Sequence, residues 1–126
     1  MIAFAAGNMR VWSAVMDSIL FKSLIYDFYN ELLTEKQKTI YELYNHFDMS
    51  LSEIAQNMDI TPQGVSDILR RSEKVLNNYE NKLNFVQNYL KNQKELNEIS
   101  VLIDKLDIKD KDLKEEIQRK INLLKE

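Results

Sequence analysis

Two glycines and one proline in 126 residues leave the chain few places to turn sharply, and none of the three lies beyond Gly64. The β-branched residues do not alternate between turn signals as strands require. Both facts point to an all-α protein. The length suits one domain, or one domain with an appendage. A chain that is 44% hydrophobic and 29% charged is an ordinary soluble one. Cysteine is absent, which removes disulfides, thiolate metal sites and a cysteine nucleophile, and fits a reducing cytoplasm.

The only proline sits inside the most informative stretch, Ser50 to Arg70. Ser50 and Glu53 have capping-box spacing, and Ile54, Ala55 and Met58 make one apolar face of a short helix. Asp59 tolerates a left-handed backbone, and Ile60 points back toward the core. Thr61 is a second N-cap, with Pro62 at the first helical position, where a missing N–H costs nothing. Val65, Ile68 and Leu69 form the apolar face of a second helix. A small residue at the helix crossing, a turn residue four places on and apolar anchors beyond it describe a helix-turn-helix. Ala55, Asp59, Val65 and Ile68 fall at those spacings.

Charge argues against a tight grip on phosphates. The chain carries a net −3, and residues 16–90, which hold the motif, have 7 basic and 11 acidic groups. Nucleic-acid readers usually present a basic face. Within Pro62 to Lys74 only Arg70, Arg71 and Lys74 are positive, opposed by Asp67 and Glu73.

Residues 1–15 stand apart from the pattern that follows. They make a poor signal peptide and are too short and broken to span a membrane. The expectation is an upstream start or an expression remnant outside the fold, with Trp12 given no role. Ile19, Leu20, Leu24, Ile25, Phe28, Tyr29, Leu32 and Leu33 then recur at helical spacing. Thr34 and Gln37 form another capping box, and Ile40, Leu43, Tyr44 and Phe47 give the next apolar face. Beyond Pro62 the residues Val65, Leu69, Ser72, Leu76, Tyr79, Leu83, Val86 and Leu90 keep a heptad rhythm. This predicts one helix from Pro62 to about Leu90, ~43 Å long at 1.5 Å per residue. Such a length must meet either the C-terminal helices or the same seam of a second chain. Leu76, Tyr79, Leu83, Val86 and Leu90 are the candidate seam of a homodimer. Residues 91–126 read as a helical hairpin appendage, with Leu113, Ile117, Ile121 and Leu124 striping its last helix.

Enzymatic chemistry finds no footing in these residues. Gly7 and Gly64 cannot build a phosphate loop, and the single histidine, His46, has nothing to orient it. No pair of carboxylates is drawn into an apolar setting. The reading is a non-catalytic chain without metal or cofactor.

The run Asp27-Phe-Tyr-Asn-Glu-Leu-Leu-Thr-Glu-Lys-Gln37, with Ser50-Leu-Ser-Glu-Ile-Ala55 and Tyr79-Glu-Asn-Lys-Leu83, resembles the YlxM family of small bacterial helix-turn-helix proteins. The resemblance covers about residues 18–105. The central unit is also similar to region four of bacterial sigma factors at Leu51, Ile54, Ala55, Val65 and Ile68. It implies a helix-turn-helix core of three or four helices and a cytoplasmic regulatory protein associated with the signal recognition particle. The partner would be the particle's GTPase Ffh or its RNA. The chain departs from DNA-reading relatives in its recognition helix, where Pro62, Gln63, Gly64, Ser66 and Asp67 replace basic or long polar residues. Gly64 reads as tolerated there. The candidate nucleic-acid contacts are Gln63, Ser66, Arg70, Arg71 and Lys74. The alternatives are a dimeric DNA-binding transcriptional regulator, disfavoured by charge, and a plain dimeric scaffold.

Overall fold

The computed structural model describes residues 5–107 and 109–126, with side chains from Asp17 onward. Every element is helical: α1 (Ala5–Tyr29), a 3-10 turn (Asn30–Leu32), α2 (Glu35–Asn45), α3 (Leu51–Met58), α4 (Pro62–Leu83), α5 (Phe85–Lys105) and α6 (Lys111–Lys125). No strand occurs among the described residues, as the scarcity of glycine and proline requires. Of residues 1–15, expected to stand outside the fold, 5–15 begin α1, and 1–4 lie outside the described residues.

The local signals at the helix starts are realised, although at Ser50 only one half of the expected capping box forms. Thr34 and Gln37 form a full capping box on α2. Ser50 Oγ accepts from the Glu53 N–H at 3.1 Å to open α3, and Thr61 Oγ1 accepts from the Gly64 N–H at 3.0 Å to open α4. Each bond satisfies a first-turn donor that the helix itself cannot.

The chain divides into two compact units, Met1–Asn84 and Phe85–Glu126. In the first, α1, α2 and α3 pack on α4. The core between them is built from Ile25, Tyr26 and Tyr29 of α1, Leu33, Ile40 and Tyr41 around α2, Ile54 and Ala55 of α3, and Val65, Leu69 and Leu76 of α4. Ser72 is also buried, and its hydroxyl donates to the Ile68 carbonyl at 2.7 Å. Glu80 is a buried carboxylate that accepts from the Tyr29 hydroxyl at 2.6 Å. Tyr26 stacks on Tyr41 with ring centres 4.7 Å apart and donates to Glu42. Burial, and then the nearby negative charge of Glu73, pushes the Tyr41 hydroxyl up to about 12.

Three expectations about packing need correction. Of the apolar residues that recur at helical spacing from Ile19 to Leu33, Ile19, Leu20, Phe28 and Leu32 are exposed. On α2 the buried pair is Ile40 and Tyr41, whereas Tyr44 and Phe47 face outward. The apolar stripe rotates away from the one read in the sequence because Tyr41 is held inside by its stacking on Tyr26.

The long helix also ends sooner than its heptads suggest. α4 stops at Leu83, and Asn84 adopts a left-handed conformation with φ 55° while its N–H bonds the Glu80 carbonyl at 2.8 Å. Asparagine is the residue after glycine best able to close a helix this way. The seam from Val65 to Leu90 is therefore two helices rather than one. Leu76 is taken up in the core of the first unit, while Tyr79 and Leu83 stay largely exposed. Val86 is buried and Leu90 half-buried on α5, beyond the break.

In the second unit α5 and α6 form a hairpin. Gln118 ties the two helices together, accepting from the Ser100 hydroxyl at 2.7 Å and donating to Asp104 at 3.1 Å. Lys114 reaches Asp104 at 3.8 Å, and Gln93 donates to the Lys125 carbonyl at 2.7 Å.

Candidate nucleic-acid interface

The turn between α3 and α4 fixes how the second helix is presented. Asp59 takes the left-handed conformation with φ 54° and ψ 47°. The Ile60 N–H then reaches back to the Ala55 carbonyl at 3.1 Å. That six-to-one bond is the mark of a Schellman motif. Ala55 and Ile54 are buried at the crossing, and Val65 and Leu69 anchor α4 from the other side. Thr61 caps α4 and Pro62 occupies its first position. The helix-turn-helix is thus complete in backbone and core.

With Val65, Leu69, Ser72 and Leu76 inward, the opposite line of α4 is Gln63, Asp67, Arg70 and Lys74. Gln63, Arg70, Arg71 and Lys74 are exposed, and Ser66 is half-buried on the flank. The structure therefore places four of the five candidate contacts on the open surface of the second helix, with Arg71 to one side of the main line.

What those residues can do is set by Asp67. Its Oδ1 accepts from Arg70 Nη2 at 2.9 Å and, more loosely, from Gln63 Nε2 at 3.4 Å. The guanidinium and the amide best suited to base edges are both turned onto a carboxylate of their own helix. An exposed pair of this kind contributes roughly 0–1 kcal/mol, so it can open. Opening it leaves an anion in the middle of the contact line. Glu73 is drawn aside by Lys22 of α1 at 3.2 Å, which takes up a second cation near the site. Arg71 and Lys74 have no ion pair among the described residues.

The Lys22–Glu73 pair had no signal in the sequence, because its members lie far apart in the chain and belong to different helices. The Asp67–Arg70 pair did have one, at i and i+3 on a helix. Sequence reading treated Asp67 only as a repulsive charge. Gly64 has a local reason as well: a Cβ there would stand 3.2 Å from Thr61 Oγ1, the atom that caps the helix.

Residues 16–122 match the model of the UPF0122 family, described as "Putative helix-turn-helix protein, YlxM / p13 like". The chain belongs to this family. Among its members, the UPF0122 protein of Caldanaerobacter subterraneus subsp. tengcongensis is 45% identical over 69% of this chain and 74% of its own length. That of Thermoanaerobacter sp. strain X514 is 40% identical over 86% of this chain and 97% of its own. A Clostridium acetobutylicum member is 38% identical over 85% and 97%. The UPF0122 match takes in α2 to α5 entire and most of α6, so the helix-turn-helix and the hairpin both lie within it. No helix among the described residues is long and apolar enough to cross a membrane.

Proposed function

We propose that this UPF0122 protein is a non-catalytic helix-turn-helix regulator that acts on the signal recognition particle by binding Ffh or its RNA. The observation that carries the reading is the internally balanced contact line of α4, where Asp67 holds Gln63 and Arg70. Affinity for duplex DNA comes largely from neutralised phosphates. A line with one anion at its centre, in a segment that carries 7 basic and 11 acidic groups, is poorly made for that task. Such a surface suits a partner that presents protein, or a specific RNA shape, rather than a long duplex backbone. The pathway is the one that the resemblance to the YlxM family implies.

The second reading, a DNA-binding transcriptional regulator, draws on the same helix. Gln63 stands exposed in its first turn, and Arg70 and Lys74 follow on the same line. That is the layout of a major-groove reader.

Fluorescence anisotropy against three labelled ligands separates the two. They are the particle RNA, that RNA with Ffh bound, and a DNA duplex, each titrated across a salt series. The particle reading expects tight binding to one of the RNA species and weak, salt-sensitive binding to DNA. Duplex binding of comparable strength that survives physiological salt would overturn it in favour of the regulator. Binding to none of the three would overturn both.

A further inference from the structure

Two carboxylates stand near the outer surface of α4 at the candidate contacts, and they are neutralised in different ways. Glu73 turns to Lys22 of α1 at 3.2 Å. That bond runs off the side of α4 and takes no donor from its contact line. Asp67 lies on the line itself. It is nine residues, about two and a half turns, from the buried Leu76, so it stands on the side of α4 directly away from the core.

The neighbours of Asp67 at i−4, i+3 and i+4 are Gln63, Arg70 and Arg71, all of them candidate contacts. Two are bonded to its Oδ1, Arg70 through Nη2 at 2.9 Å and Gln63 through Nε2 at 3.4 Å. With 34% of the Asp67 side chain still exposed, its charge is felt by whatever approaches the line.

Duplex DNA is the ligand that this arrangement turns away. The major groove shows a recognition helix mainly acceptors: N7 and O6 of guanine, N7 of adenine and O4 of thymine. A carboxylate at the middle of the helix adds one more acceptor facing them, in the negative field of the phosphates. The donors suited to those acceptors are Gln63 and Arg70, and both are engaged by Asp67. An exposed pair of this kind opens easily. A helix seated in the groove would then hold a desolvated anion whose cation has left it, which is strongly unfavourable.

We infer that Asp67 is the specificity-determining residue of this helix, and that its carboxylate keeps the helix-turn-helix off duplex DNA. The inference rests on the proposed function in taking α4 as the ligand-facing helix. It adds that one side chain, rather than the net charge of the chain, excludes the duplex.

Anisotropy titrations of the full chain against a labelled DNA duplex of mixed sequence, at several salt concentrations, test this. Wild-type binding should be weak. Asp67→Ala removes the acceptor, supplies no new donor and suits a helix, so circular dichroism should show the fold intact. It should tighten duplex binding at least about tenfold at low salt and steepen the log–log salt dependence by about one, as one added phosphate contact does. Glu73→Ala makes the same change in net charge but leaves the Asp67 bonds in place, and should gain less than about threefold. Adding Arg70→Ala to Asp67→Ala should remove most of the gain. Three results would overturn the inference: an unchanged duplex affinity for Asp67→Ala, an equal gain from Glu73→Ala, or a gain undiminished by Arg70→Ala. Titrating the wild type against the particle RNA, alone and with Ffh bound, keeps the two readings apart. Absence of binding there counts against the proposed function, while the DNA arm decides the role of Asp67.

Discussion

The two units of this chain hold themselves together in different ways. The first draws side chains from four helices into a common centre, with Ile40, Ile54 and Val65 wholly removed from solvent. Even its buried polar groups are paired, Ser72 to a carbonyl and Glu80 to Tyr29. The hairpin instead joins its two helices through half-exposed polar bonds around Gln118 and keeps most of its large apolar side chains outside. The lesson is about dimension. Four helices enclose a volume, whereas two only share a line, so a hairpin depends on what it is set against.

The largest way to break this contrast is at Ile54. Ile54→Ala should cost the first unit about 2–5 kcal/mol, read from urea unfolding, because a fully buried isoleucine leaves a cavity. A cost below about 1 kcal/mol would mean the four-helix core is looser than its burial implies. The next test is Tyr29→Phe, which strips the buried Glu80 carboxylate of a donor. It should destabilise by about 1–3 kcal/mol, and Glu80→Gln in the same background should recover part of that loss. A neutral Tyr29→Phe would remove the bond from the account of the core. Smallest is Ser100→Ala in the hairpin, where a half-exposed hydroxyl is worth about 0.5–1 kcal/mol. If Ser100→Ala instead unfolded the whole chain, the hairpin would be as tightly built as the core, and the contrast would fail.

Within the first unit, features differ in how far local sequence records them. Helix starts at Thr34, Ser50 and Thr61 were legible, because a cap and its donor lie three residues apart and need no distant partner. So was the turn at Asp59. The stop at Asn84 was not, since asparagine marks a helix end only when the backbone there turns left-handed, and the heptads of α4 run straight past it into α5. Tyr41 went unread because the residues that enclose it come from other helices, and Glu80 because its partner Tyr29 is 51 positions away. Of the candidate contacts, Gln63, Arg70, Arg71 and Lys74 lie on the open side of α4, a placement that follows from helical period alone. That Asp67 would hold two of them could be seen only with side chains in place.

The sequence by itself determined the helical class, the caps, the helix-turn-helix and the family, since all of these rest on short-range spacing or on residue identity. Tertiary structure decided where the heptad stripe breaks, which aromatic rings turn inward and how Glu80 comes to be buried. It also decided which cations of the recognition helix are already engaged. Those outcomes depend on pairings between segments far apart in the chain. No local pattern records them, because the free energy that selects one pairing over another comes from burial and hydrogen bonds made only once the helices have met.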